Sequence, residues 1–306
     1  MLKWIACFFV LLFAGPCFAA FAIFQTVRIV GTQGAFVKLP LGGGGFVTGI
    51  HTYFDGTQVA RTDTAGAYVR SSYTQPWALT VTHSGMPSGD ANQGMFNGVC
   101  EIVAAPSNTS TLYMFYGVND GSANLPSYIY KSTDKGVTWS RTNSSFSSTN
   151  YCAANSGQQR LAYPYMDVSP VDANTVYVGT INGVKYTTDG GSSWTSLSTG
   201  TIPASATIAN LVAFDPSDAS GNTVYITSYS TGVYKCTSAR STPSCSFLNS
   251  AGMPTTQTKL AVSQTGTVWV IDSHGGDLAG SLYRYISNTW STQINWASQK
   301  ELSCIA

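Results

Sequence analysis

A carboxylate with a cationic neighbour is the first feature of this chain that could do chemistry. Arg61 and Asp63 stand two apart in Val59-Ala-Arg-Thr-Asp-Thr-Ala-Gly-Ala-Tyr68. A guanidinium that close would hold the Asp63 carboxyl ionised, as a general base requires. The competing reading of Asp63 is an ordinary turn aspartate. Glutamate is scarce, with only Glu101 and Glu301 in the whole chain. Glu101 lies in Gly98-Val-Cys-Glu-Ile-Val-Ala104, by pattern near the start of an inner strand. It is the internal candidate for a second carboxyl, set against the plainer reading of a hydrogen-bonded strand-end residue. Other catalytic sets do not assemble: His51, His83 and His274 are scattered, no Cys/His cluster has zinc spacing, and no Ser-His-Asp order emerges. Gly42 to Gly45 lack the Lys-Ser/Thr pair and following helix of a phosphate loop. No cofactor and no metal are expected.

Two other aspartates occur in a repeated octapeptide. Ser132-Thr-Asp-Lys-Gly-Val-Thr-Trp139 and Thr187-Thr-Asp-Gly-Gly-Ser-Ser-Trp194 share the form Ser/Thr-x-Asp-x-Gly-x-Ser/Thr-Trp, known as the Asp box. Asp134 and Asp189 are expected to accept N–H groups of their own turns, while Gly136 and Gly191 supply a positive φ. Trp139 and Trp194 would then pack between blades. These carboxylates read as structural.

The elements that must position all these residues repeat along the chain. Phe46-Val-Thr-Gly-Ile50, Val99-Cys-Glu-Ile-Val103, Met166-Asp-Val-Ser-Pro170, Phe214-Asp-Pro216 and Leu260-Ala-Val262 each mark the opening strand of a copy. The copies close on Trp77, Trp139, Trp194, Phe247 and Trp290, at intervals of 62, 55, 53 and 43 residues. Four short strands per copy at a period near fifty define an all-β β-propeller of four-stranded blades, five of them recognisable. A β-sandwich would not require the same strand order five times.

Composition fits this architecture. Charged residues make up 9% of the chain against 43% hydrophobic and 12% aromatic, so long Glu/Lys-faced helices and disorder are both excluded. A net charge of +1 supplies no field for a phosphate backbone, so no nucleic-acid partner is expected. Lys3, the apolar run Trp4 to Phe13, the Gly15-Pro16 break and Ala19-Ala20 read as a secretory signal over residues 1–20, with the propeller over 21–306. The apolar run is too short to span a bilayer, and no membrane partner is expected once the signal is removed. Export permits disulfides. Cys236 and Cys245 lie in one hairpin-like stretch and would clamp it; pairing of Cys100 with Cys152 stays open, and Cys304 has no evident partner.

The stretch Leu41-Gly-Gly-Gly-Gly-Phe-Val-Thr-Gly-Ile50, followed by Val59 to Tyr68, resembles the opening of glycoside hydrolase family 74, the xyloglucan-cleaving endoglucanases. The likeness continues through Gly98 to Ala104, the Ser132 to Trp139 turn with Arg141 after it, the Tyr177 to Trp194 blade, Gly266-Thr-Val-Trp-Val270 and Ser281-Leu-Tyr-Arg-Tyr285, covering most of residues 41–292. The resemblance implies a secreted enzyme acting on a polysaccharide with a β-1,4-glucan backbone. It also implies an inverting mechanism in which one carboxyl protonates the leaving oxygen and another activates water. Asp63 falls on the family's catalytic aspartate and would be the base. Arg61, Tyr68, Arg160, Tyr163 and Tyr165 are the sugar-contact candidates, although most aromatics of a propeller fill gaps between blades. Family members resemble two seven-bladed propellers facing across a cleft, with the partner acid on the second. Five blades therefore imply an incomplete N-terminal propeller whose partner is a second propeller or a C-terminal continuation. The alternative is a non-catalytic Asp-box propeller of sialidase or sortilin type that binds glycan or protein.

Overall fold

Short runs of β-branched and aromatic residues, punctuated by Gly, Asp and Ser, cannot each bury two faces alone, and here they do so by stacking. The structure, a computed structural model, describes residues 47–63, 65–88, 90, 98–116, 128–143, 164–197, 202–203, 210–229, 231–248, 252–254, 256–273 and 280–296. All lie within the unit Val37–Ala306. The expected signal at 1–20, the Gly42 to Gly45 run, Arg160, Tyr163, Cys152 and Cys304 lie outside the described residues.

Five antiparallel meanders form the blades, each with its four strands paired in chain order. Blade 1 is β1 (Val47–Thr52), β2 (Gln58–Thr62), β3 (Ala67–Arg70) and β4 (Ala78–Leu79). Blade 2 is β5 (Val99–Ala105), β6 (Asn108–Tyr116), β7 (Tyr128–Ser132) and β8 (Ser140–Arg141). Blade 3 is β9 (Met166–Val168), β10 (Val176–Thr180), β11 (Gly183–Thr187) and β12 (Thr195–Ser196). Blade 4 is β13 (Leu211–Phe214), β14 (Val224–Ser228), β15 (Gly232–Thr237) and β16 (Ser244–Phe247). Blade 5 is β17 (Gln257–Val262), β18 (Val268–Ser273), β19 (Gly280–Ile286) and β20 (Thr289–Trp296). The expected β-propeller of four-stranded blades is what the chain forms, with five blades among the described residues.

Burial follows position in the blade. The first strands β5, β9, β13 and β17 lie against one another in succession, whereas both residues of β4, β8 and β12 are exposed. The core is made between blades rather than within them. Val59, Val69, Ile102, Met114 and Trp139 form one cluster across blades 1 and 2. Phe115, Val178, Ala213 and Val270 share a second that runs through blades 2 to 5.

The octapeptide turns supply local pins. Asp134 Oδ1 accepts the Thr138 N–H at 2.9 Å and the Ser132 hydroxyl at 2.7 Å, and its Oδ2 accepts the Thr138 hydroxyl at 2.6 Å. Asp189 repeats the pattern with Ser193 and Thr187, whose hydrogen bonds hold its carboxyl down to about 2. Gly136 and Gly191 take φ of 82° and 92°, in the region where a Cβ is costly. Trp139 Nε1 donates to the Thr80 carbonyl of blade 1 at 3.1 Å, and Trp194 Nε1 to the Thr142 hydroxyl at 3.2 Å. In blade 4 a disulfide joins the paired residues Cys236 and Cys245 of β15 and β16; Cys100 is also disulfide-bonded. Asp134→Ala should lower stability by about 1 kcal/mol, the net value of an ordinary hydrogen-bond set at an exposed turn. Urea denaturation measures the loss, and ligand binding per folded molecule should be unchanged.

Candidate functional site

The polar side chains of interest converge where β1, β2, β5 and β9 meet. Glu101 on β5 is fully buried, and its carboxylate is served from three blades. Arg61 Nε lies 3.1 Å from Oε1 and His51 Nε2 3.0 Å from the same oxygen, while the Tyr165 N–H donates to Oε2 at 3.1 Å. The Ile102 N–H adds a contact to Oε1 at 3.3 Å. Arg61 reaches Glu101 because its strand partner on β1 is Gly49: a Cβ at that position would stand 2.7 Å from Arg61 Nε. The guanidinium also lies over the Tyr165 ring, 5.9 Å from its centroid. Burial on its own would raise the Glu101 carboxyl. The Arg61 charge, His51 and the Tyr165 N–H outweigh burial and hold it below the usual carboxylate range.

Asp167, on β9 of the next blade, has the opposite character. It is half-buried; its Oδ1 accepts the Val168 N–H and its Oδ2 the Phe214 N–H, both at 2.8 Å. Burial, reinforced by the nearby Glu101 charge and opposed by those two N–H groups and His51, pushes it up to about 6. Two neighbouring carboxyls with pKa values moved apart form the arrangement from which acid and base roles are drawn. A folded pKa raised above the unfolded value contributes stability that is complete below about 4 and is lost as pH rises through about 6. Asp167→Asn should therefore flatten that part of the stability curve, with a pH-independent cost from setting the amide NH2 against one of the two backbone N–H donors. Denaturation midpoints between pH 4 and 7 measure it.

Asp63 stands one residue past β2, and only 3% of it is exposed. The turn that holds it is closed by the Thr62 N–H and hydroxyl, which donate to the Gly66 carbonyl at 3.0 and 2.9 Å, and by the Ala65 N–H on the Thr62 hydroxyl at 2.8 Å. Of the sequence candidates, the fold gathers Arg61, Glu101 and Tyr165 into one cluster. Tyr165 is fully buried. Tyr68 pairs with Ala60, on the face of the sheet opposite to Arg61, and packs on Trp77. His51 and Asp167 are the members that sequence reasoning missed. Each lies in the first strand of a copy, as Glu101 does, so superposing the opening strands of the repeats would have collected all three. Among the described residues no group of three His, Cys, Asp or Glu side chains is placed to hold a metal.

Four-stranded meanders stacked side by side with their first strands against one another define a β-propeller. The chain superposes on a family 74 glycoside hydrolase of Niastella koreensis with a TM-score of 0.64 and 25% identity, covering 83% of this chain and 38% of that one. The family 74 xyloglucanase of Xanthomonas campestris gives the same TM-score and the same coverage at 21% identity. In sequence the chain is 33% identical over 187 residues to a xyloglucanase of Hypocrea jecorina, 59% of this chain and 20% of that protein. It is 32% identical over 164 residues to a xyloglucanase of Acetivibrio thermocellus, 51% and 18% of the two. No family model matches. The chain spans about a fifth of the length of the curated relatives it matches. Sequence and fold agree that it is similar to the propellers of glycoside hydrolase family 74.

Proposed function

We propose that this protein acts on xyloglucan or a related β-1,4-glucan, using the hub of blades 1 to 3. The observation that carries the reading is the agreement of two things: relatedness to xyloglucanases, and Asp63 standing in Ala60-Arg-Thr-Asp63 at the end of β2. Asp63 serves as the base of an inverting pair, and the second carboxyl is the one that must hold a proton. Asp167, raised to about 6, suits that second role better than Glu101, which is held ionised. A second propeller is the other source of the acid. The disulfide between Cys236 and Cys245 supports an exported, oxidised location.

One observation favours a second reading, a propeller that binds glycan without cleaving it. Asp63 and Glu101 are both buried, and Glu101 has its oxygens engaged by protein groups. Reducing-end release from xyloglucan, measured beside retention of the protein in xyloglucan-containing gels, separates the two. Release by the wild type that Asp63→Asn abolishes, with retention kept, supports the hydrolase. Retention without release in both proteins supports the binding module, and neither activity in the wild type sinks both.

A further inference from the structure

The outer half of the junction between blades 4 and 5 holds a cavity of about 410 Å³, lined by Tyr225, Lys235, Ser246, Gly266, Tyr285 and Asn288 among others. Its origin can be read in the chain. In blades 2 and 3 the third and fourth strands are joined by residues 133–139 and 188–194, long enough to lie over the preceding blade. There Lys135 Nζ donates to the Thr57 hydroxyl of blade 1 at 3.2 Å, and Gly191 accepts the Asn143 N–H at 2.9 Å. In blade 5 the join is only Ser287 and Asn288, with φ of 49° and 61°, as a tight I′-type hairpin demands. Trp290 still donates to the Leu248 carbonyl of blade 4, as Trp139 does to Thr80 of blade 1. The junction is therefore pinned in the same way but left unfilled.

The lining has the chemistry of a sugar site. Lys235 lines the cavity, its Nζ stands 5.9 Å from the Tyr225 ring centroid, and Nζ makes no hydrogen bond to another described residue. Asn288 accepts the Tyr285 hydroxyl on its Oδ1 at 3.2 Å, which leaves its amide N–H groups for a ligand. The half-buried Tyr285, on the face of β19 that carries Trp290 toward blade 4, offers a ring to the C–H side of a sugar. Among the described residues no carboxylate belongs to the lining, although the Asp215 oxygens lie 3.6 Å from where a Cβ on Gly266 would stand, and the size lies in the range of small-molecule sites.

We propose that this cavity is a second glycan contact, separate from the hub, that takes a neutral pyranose unit of the polysaccharide. The proposal rests on the polysaccharide reading above. It is tested with a xyloglucan oligosaccharide titrated into isotopically labelled protein and followed by amide shifts. The expected result is a set of saturable shifts at Gly266, Ser287 and Asn288, weakened at least about tenfold in Lys235→Met and in Asn288→Gly, and unchanged in Asp63→Asn. Glycine tolerates the positive φ at position 288, so that variant keeps the turn while losing the amide. Shifts confined to the hub residues His51 and Asp167 would overturn the cavity site and leave the hub reading standing. Cavity shifts of undiminished affinity in both cavity variants would also overturn it, and no shift anywhere would overturn both readings.

Discussion

Arg61→Met should destabilise the fold by about 3–5 kcal/mol, the cost of leaving one member of a buried ion pair without its partner. Both side chains are fully buried, and the Glu101 carboxylate would keep only His51 and its backbone N–H donors. Methionine roughly preserves the length of the aliphatic stem, so lost packing is the smaller part. Urea denaturation of the variant gives the loss directly. The control is Arg61→Met combined with Glu101→Gln: with both charges gone, the double variant should recover a substantial part of the stability, and the cycle isolates the coupling. A single-variant loss below about 1 kcal/mol would mean that the pair behaves as a solvated one. The pH response of Arg61→Met carries a second sign. Glu101 is now held low, so its contribution is present above the unfolded carboxylate pKa and is lost as pH falls. Without Arg61 that acid-side loss should begin at a higher pH.

The blades were legible because each strand is short, apolar and bounded by turn residues, and because the order recurs. The octapeptide turns were legible for the same reason: Asp134, Gly136 and Trp139 act within a few residues of one another or on the adjoining blade. The hub was only partly legible. Adjacency suggested only that Arg61 serves Asp63; that its Nε also lies against Glu101, forty residues on and in the next blade, could not be read from the chain. That contact depends on the register between blades, which pattern within a blade does not contain. Gly49 shows the same limit. It looked like part of a glycine-rich motif, and its physical reason is the guanidinium that crosses its α-carbon. Tyr68 and Tyr165 were picked for their type, but type does not tell which face of a sheet a side chain takes, and both are buried.

Gly179→Ala should be the most damaging single methyl in the propeller. A Cβ there would stand 1.7 Å from the Asn210 carbonyl oxygen and 2.5 Å from its carbon, both backbone atoms of blade 4. A side chain in the way could rotate aside; a strand backbone cannot. Blades 3 and 4 would have to separate, and the cost should sit at or above the upper end of ordinary overpacking, about 3 kcal/mol or more. For a domain of this size that lowers the melting temperature by on the order of 10 °C in calorimetry. The displacement should reach the hub by a short path. The Gly179 N–H donates to the Tyr165 carbonyl at 2.7 Å, and the Tyr165 N–H in turn holds Glu101. Gly252→Ala is the matching control: it has the strained φ of 83° but nothing nearer than 3.9 Å to the new methyl. It should cost only about 1 kcal/mol, the strain of a left-handed alanine. Gly179 has no positive φ, so a loss at 179 no larger than that at 252 would show that the two blades move apart readily enough to admit the methyl. A larger loss at 179, together with a changed acid-side stability profile, would place the blade 3–blade 4 contact among the supports of the Glu101 cluster.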